Sequence, residues 1–167
     1  MRPVSWALIL LPALALLATG GRARAALTIT KTQNTVWDPL NMGLFPKAVP
    51  GARISYTLIV ANGLGQSTAR NVTISDAIPA KVKFYVGTGN PVTVTIGALS
   101  SLTYTYTSLG STTDGLEFSN NNGTTWTYVP TAGADGSDPN VTNIRVTTGG
   151  SQLASDSFTI TFQAIVR

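Results

Sequence analysis

Apolar and polar residues alternate with a period of two along most of the chain. Residues 53–60 place four apolar side chains on one face and polar side chains on the other. The same alternation recurs over residues 72–74, 92–96, 102–106, 116–118, 144–146 and 158–162. A half-buried β-strand has this period because successive side chains point to opposite faces of the sheet. The pattern therefore predicts about eight to ten short strands.

Turn-forming residues separate these runs. Pro, Gly, Asn and Asp gather at residues 50–51, 62–63, 87–91, 122–123, 133–139 and 149–150. After residue 25, no segment has apolar residues at the spacing of an amphipathic helix. Short alternating strands joined by turns are typical of a two-sheet sandwich. We therefore predict an all-β fold, an immunoglobulin-like antiparallel β-sandwich that forms one domain over residues 26–167.

The first 25 residues have the pattern of a secretory signal peptide. Arg2 gives a positive start, residues 6–17 are almost continuously apolar, and Ala23 and Ala25 supply small residues before a cleavage site. The apolar run is shorter than the roughly 20 residues that a membrane-spanning helix needs. We expect residues 1–25 to be cleaved and residues 26–167 to be exported to the cell surface, the extracellular space or the periplasm, without insertion into the membrane.

The net charge of the chain belongs largely to this leader. The whole chain carries a formal charge of +4, but three arginines lie before residue 26, which leaves 8 basic and 7 acidic residues. The remaining Lys and Arg are scattered along the sequence. Nucleic acid is therefore not an expected partner, because binding to phosphates needs a basic patch.

The residue types that most enzymes use are missing or isolated. The chain has no cysteine and no histidine, so it lacks the commonest nucleophile–base pairs and the commonest metal ligands. Glu117 is the only glutamate, and the aspartates fall mostly among turn residues. A non-enzymatic protein is the expectation.

Residues 46–79 carry a recognisable motif. It consists of Pro50-Gly51, then Tyr56-Thr57-Leu58-Ile59-Val60-Ala61-Asn62, then Asn71-Val72-Thr73-Ile74-Ser75-Asp76-Ala77-Ile78-Pro79. The combination resembles the DUF11 family, the conserved repeat domain of bacterial and archaeal surface proteins. The resemblance implies an immunoglobulin-like sandwich in an exported, non-enzymatic protein. Family members often carry the domain in tandem arrays, whereas this chain has a single copy.

The motif residues also have structural roles that follow from their chemistry. Gly51 after Pro50 allows a tight turn into a strand, and Asn62 ends that strand in a turn. Pro79 ends the following strand because it cannot donate a ladder hydrogen bond. Asp76 is predicted to accept backbone N–H bonds in the turn that it starts, in preference to binding a ligand.

A second motif lies at residues 119–126. It resembles the Asp-box, Ser-x-Asp-x-Gly-x-Thr-Trp, with Asn121 in the place of Asp. The motif is known from sialidase propellers, but its chemistry is that of a stabilised hairpin turn. The carbonyl of Asn121 can accept backbone N–H bonds, Gly123 provides the turn, and Trp126 packs beneath the loop. We predict a fold-stabilising role for these residues.

One segment is rich in oxygen ligands. Asp135, Asp138 and Asn140 lie within six residues, and calcium takes six to eight oxygen ligands. The spacing differs from that of an EF-hand loop, and ordinary turn chemistry accounts for these residues equally well. A calcium site and a plain turn are both open at this stage; no other cofactor is indicated.

The strand at the start of the exported domain bears most on function. Residues 26–34 alternate, and an irregular stretch follows as far as Pro50. A terminal strand can pair within its own domain, or it can complete the sheet of a neighbour. We therefore expect a structural or adhesive protein of the bacterial surface or extracellular matrix, with other copies of itself or cell-surface components as partners; a filament subunit is one form of this. The alternative is a periplasmic binding or accessory module that recognises a peptide or a glycan.

Overall fold

The computed structural model describes residues 25–167, which form an all-β fold. The predicted signal peptide lies outside the described residues, apart from Ala25. The described chain forms eleven strands, and every paired strand is antiparallel to its partner. The strands are β1 (Leu27–Trp37), β2 (Arg53–Asn62), β3 (Ala69–Arg70), β4 (Thr73–Ala77), β5 (Val82–Tyr85), β6 (Val92–Thr95), β7 (Leu116–Ser119), β8 (Ser137–Asp138), β9 (Asn143–Thr147), β10 (Ser151–Gln152) and β11 (Asp156–Val166).

The strands form one large sheet and two smaller ones. The large sheet has six strands in the order β1-β2-β11-β5-β8, and β6 also pairs with β11. A three-stranded sheet, β4-β9-β7, and a two-stranded ribbon, β10-β3, pack against it. The predicted antiparallel β-sandwich is confirmed. Within the described residues, no helix has the length and apolar character needed to cross a membrane.

The core lies between the two layers. β2 and β11 pair over ten residues, and alternate side chains of both strands are buried, as the sequence pattern predicts. Phe84 of β5 joins the layers, because its ring lies 5.6 Å from that of Phe118 in the three-stranded sheet. The same ring lies 6.0 Å from that of Phe162 on the neighbouring strand. These contacts fix the position of the large sheet and of its two faces.

Residues 102–106 form no strand, so this part of the prediction is wrong. Leu102 is buried and Tyr104 is half-buried, which explains the alternation in the sequence. The segment has only one isolated bridge, between Thr103 and Gly149. Alternating burial shows only that one face of a segment lies against the core. A strand also needs a continuous series of backbone hydrogen bonds to a neighbouring strand.

The sequence pattern did not predict β5 or the short strands β3, β8 and β10. β5 has four residues, and only Val82 and Phe84 face the core. Val82 and Phe84 alternate with Lys83 in the same way as in the strands that were predicted, so the pattern itself is present at β5. The omission matters because β5 carries residues that shape one end of the large sheet.

Candidate functional site

The first strand, β1, is joined to the sheet by its backbone and contributes almost nothing to the core. It pairs with β2 at ten positions, from Leu27 to Trp37, yet residues 28–34 are all exposed. Ile29 lies directly opposite Val60, so both point to the same face. Val60 is fully buried whereas Ile29 is 51% exposed. The second layer of the sandwich therefore covers β2 and stops short of β1.

One ion pair ties β1 to the opposite layer. The Lys31 ammonium donates to the Asp76 carboxylate at 2.6 Å and to the carbonyl of Ala77 at 3.4 Å. The ammonium also lies 5.0 Å from the centre of the Tyr56 ring and 5.6 Å from that of Phe162. The structure thus places Asp76 inside β4 and joins it to Lys31, where the sequence predicted a turn-capping role.

The segment after β1 is organised around Asp38. This residue is fully buried, and its carboxylate accepts hydrogen bonds from the backbone N–H groups of Leu40, Asn41 and Lys47 and from the side chain of Asn41. Burial by itself raises the pKa of Asp38, but these hydrogen bonds outweigh it and lower the pKa to about 2. The sequence alone does not reveal this role of Asp38, because Lys47 lies too far along the chain for its contact to appear as a local motif.

Around this buried anchor, the segment presents apolar side chains to solvent. The exposed fractions are 79% for Leu40, 59% for Met42, 77% for Leu44 and 91% for Phe45. Met42 and Phe45 also have positive φ values of 56° and 51°, a conformation that costs non-glycine residues free energy and persists where the surroundings enforce it. We call residues 38–47 the apolar loop. Four exposed large apolar side chains within six residues are typical of a contact region.

We expect the domain to lose stability in acid through Asp38 and Asp135. Both have a pKa of about 2, and for Asp135 the main cause is the hydrogen bond from the Lys83 ammonium. In the unfolded chain the pKa returns to about 3.8, so the unfolded state binds protons first. This contribution to stability is complete above about pH 5 and is lost as the pH falls towards 2. Melting temperatures at pH 5, 3 and 2 should fall less steeply for Asp38→Asn than for the unaltered protein. Equal slopes would show that Asp38 does not drive the acid response.

The loop at residues 119–126 is a polar turn that is held by its own side chains and by Thr142. The carbonyl of the Asn121 side chain accepts the backbone N–H of Thr125 at 2.9 Å, which is the interaction that the motif predicts. The hydroxyl of the fully buried Ser119 donates to that carbonyl at 2.8 Å and accepts the N–H of Gly123 at 2.9 Å. Gly123 has a φ of +78°, as a turn of this kind requires.

Trp126 packs on the outside of the sandwich and only partly against the loop. It is half-buried, and a Cβ atom on Gly123 would lie 3.3 Å from its ring. The guanidinium of Arg145 stacks on the indole at 4.4 Å and binds both carboxylate oxygens of Glu117, at 2.7 and 2.8 Å. Trp126 therefore stabilises the outer surface of the three-stranded sheet and is not one of the buried core residues.

The aspartates for which a calcium site and a plain turn were both open bind protein donors. Asp135 accepts from the Lys83 ammonium and from both the N–H and the hydroxyl of Ser137. Asp138, which is 1% exposed, accepts from the hydroxyl of Tyr128 at 2.7 Å and from two backbone N–H groups, those of Thr131 and Asn140. Among residues 25–167, no group of three or more acidic residues could hold a metal ion. The contacts of Asp135, Asp138 and Asn140 are those of the turn alternative.

The remaining motif residues lie at strand ends. Gly51, with a φ of +83°, follows Pro50 and donates its N–H to Val166 just before β2 begins. Asn62 is the buried last residue of β2, and its amide donates to the carbonyl of Gln152 at 3.2 Å and so joins the large sheet to the ribbon. The carbonyl of Pro79 accepts the N–H of Val82 in the turn that leads into β5.

Comparison of the chain with protein-family models, with curated proteins and with solved structures found no match. The resemblance to the DUF11 family therefore rests on the motif residues alone. The features of the molecule that bear on function are the exposed strand β1, its ion pair and the apolar loop beside its end.

Proposed function

We propose that this protein is an exported, non-enzymatic structural protein of the bacterial surface or extracellular matrix, whose copies join by exchanging β1. The observation that supports it is the contrast within β1. The strand pairs with β2 at ten positions, yet residues 28–34 are all exposed, and of their side chains only that of Lys31 reaches the opposite layer. Its removal therefore uncovers only a small part of the core, where Leu27 packs, and an identical strand from another molecule restores the contacts that β1 makes.

The connection between β1 and β2 has the length that exchange requires. Residues 38–52 separate the two strands, and fifteen residues can span at most about 50 Å when extended. An exchanged β1 would form the same ladder and the same Lys31–Asp76 ion pair on its neighbour. The difference in free energy between the single molecule and the exchanged form then depends mainly on the conformation of the connection and on new contacts where the two molecules meet.

The apolar loop supplies such contacts. Trp37 lies opposite Arg53, so the connection leaves the ladder at the end where β2 begins. In an exchanged pair, the connections of two molecules therefore meet at the same end of the sheet. Exposed side chains such as Leu44 and Phe45 would be covered there, at a gain of about 25 cal/mol for each Å² of apolar surface.

A pair of engineered cysteines tests the exchange. Asn34 on β1 lies opposite Ser55 on β2, and the chain has no cysteine of its own. Residues directly opposite in a ladder are close enough for a disulfide. After assembly and oxidation, the Asn34→Cys/Ser55→Cys variant should run as covalent dimers or longer ladders on a non-reducing gel, and as single chains after reduction.

The matched control places the second cysteine on a strand that stays in its own molecule. Gln163 of β11 also lies opposite Ser55, and β11 belongs to the core. The Ser55→Cys/Gln163→Cys variant should therefore run as a single chain under all conditions. If the Asn34→Cys/Ser55→Cys variant also gives single chains in assembled material, or if size-exclusion chromatography and electron microscopy find monomers only, exchange of β1 does not occur.

A binding module is the second candidate, and the free edge of β1 favours it. No described strand pairs with that edge, so a peptide in extended conformation could add to it. The two functions differ in location. Labelling intact cells with an antibody against the protein should reveal surface or shed material for a structural role, and strictly periplasmic material would favour the binding module.

A further inference from the structure

A groove opens on the outer face of the large sheet, at the end where β1 stops and β2 begins. Trp37, Arg53, Ile165 and Lys83 lie side by side across four strands, because each is directly opposite the next in the ladders. The groove has a volume of about 530 Å³. Ile165, which is 6% exposed, forms its floor, and the side chain of Arg167 also lines it.

Arg53 is held in this groove without a hydrogen-bond acceptor. Its guanidinium lies over the ring of Tyr85, with Cζ 4.2 Å from the ring centre. Its Nε is buried and has no partner, and no described carboxylate forms an ion pair with it. Guanidinium groups of half-buried arginines are normally paired, because five N–H donors lose water when they are covered.

The other charged side chains of the groove are already engaged. Lys83 is paired with Asp135, and Arg167 donates to the carbonyls of Val82 at 3.1 Å and Pro139 at 3.2 Å. The lining side chains Arg53, Lys83, Arg167 and Asp135 together carry three positive charges and one negative charge. The groove therefore attracts anions, and Arg53 is the cation with free donors.

We propose that the groove binds a carboxylate-bearing sugar, a uronic acid unit of an acidic polysaccharide. Arg53 would receive the carboxylate with two parallel N–H bonds, the geometry that guanidinium and carboxylate groups share. The apolar faces of Trp37 and Pro39 would pack against the carbon–hydrogen face of the sugar ring. This proposal rests on the proposed function, because a structural protein of the extracellular matrix would meet acidic polysaccharides in that matrix.

The sheet itself favours a sugar over a peptide. The strands that form the floor of the groove, β2, β11 and β5, each have paired strands on both sides. Their backbone N–H and C=O groups are therefore unavailable to an added peptide strand. Recognition in the groove therefore depends on side chains. The guanidinium of Arg53 suits the carboxylate of a charged sugar, and the indole of Trp37 suits the sugar ring.

Titration calorimetry with tetragalacturonate tests the proposal on the full exported protein at low salt. We expect binding that weakens as salt is added, because the attraction between charges is screened. Arg53→Met should weaken binding about tenfold or more, which is the value of one charge-assisted hydrogen bond. The melting temperature of the variant should fall by no more than a few degrees, since Arg53→Met removes the contact with the Tyr85 ring but no hydrogen bond of the folded protein. Arg53→Lys, which retains the charge without the fork, should fall between the two.

Two controls test whether binding requires both Arg53 and the carboxylate of the sugar. Arg70→Met removes a cation that pairs with Ser151 elsewhere on the surface and should bind tetragalacturonate as the unaltered protein does. Neutral maltotetraose should not bind. The proposal is overturned if maltotetraose binds equally well, if a tetraglutamate peptide binds as tightly as the sugar, if Arg53→Met binds normally, or if tetragalacturonate does not bind.

Failure of this proposal is distinguishable from failure of the proposed function. Trp37 lies opposite Arg53 whether β1 comes from the same molecule or from a neighbour, so exchange preserves this pair of groove residues. Absence of tetragalacturonate binding together with interchain disulfides from the Asn34→Cys/Ser55→Cys variant would overturn the sugar site alone. Binding by a protein that is always monomeric would overturn strand exchange alone.

Discussion

Phe84→Ala is expected to lower the free energy of unfolding by about 3–5 kcal/mol, the range for truncation of a buried aromatic side chain. Phe84 is fully buried. Its ring packs against Phe118 of the opposite layer and Phe162 of the neighbouring strand, so no single element can move to fill the space. Urea denaturation followed by tryptophan fluorescence would measure the change.

Phe45→Ala is the matched control, because it removes the same atoms from the surface. Phe45 is 91% exposed, and its truncation should change the free energy of unfolding of the monomer by about 0.5 kcal/mol at most. A loss at Phe84 no larger than that at Phe45 would show that the layers do not pack as described. A large loss at Phe45 in dilute protein would show that the apolar loop is covered in the monomer.

Gly150→Ala is expected to cost about 3 kcal/mol or more, because two penalties add at this position. Gly150 has a φ of +77°, which is unfavourable for any residue with a Cβ atom. A Cβ atom there would lie 2.1 Å from the backbone carbonyl oxygen of Ser101. That oxygen cannot rotate away as a side chain could, since the N–H of Ser101 is bonded to Ser151 of β10.

Gly65→Ala isolates the first of the two penalties. Gly65 has a similar φ of +74°, but a Cβ atom there would meet nothing within 4 Å. The substitution should cost about 1 kcal/mol, for the left-handed conformation alone. Thermal unfolding of both variants would give the difference, and equal losses would mean that residues 101 and 150 are not in close contact.

The strands that the sequence predicts best are the two central strands of the large sheet, which have paired strands on both sides. β2 alternates over all ten of its residues and β11 over residues 157–164, and in both strands the apolar positions of the sequence lie on the buried face. The sequence also predicts the first strand, β1, but it does not predict that the side chains of this strand are exposed to solvent. Leu27 and Ile29 alternate with Thr as they would in a half-buried strand. What leaves Ile29 in solvent is the width of the second layer, and that width depends on how β4, β9 and β7 pair.

Hydrogen bonds between residues that are close in the sequence can be predicted from a motif, whereas contacts between distant segments cannot. The side-chain carbonyl of Asn121 accepts the N–H of Thr125, four residues away, and the motif alone predicts this kind of bond. Arg53 and Tyr85 come together only because β11 lies between β2 and β5 in the sheet. A short alternating segment such as β5 gives no sign of that order, so the groove could not be inferred before the fold.

The register of β1 has a mechanical consequence for an assembled chain. β1 would be pulled at Trp37, where it joins its own molecule, and β2 of the neighbour would be pulled at Arg53, where its connection begins. These two residues lie opposite each other at one end of the ladder. Tension would then open the ladder one pair at a time, as a zipper opens, and would not load all ten pairs in shear. Such a joint yields at low force and can close again, so the material would stretch and recover where a shear-loaded joint would hold until it broke.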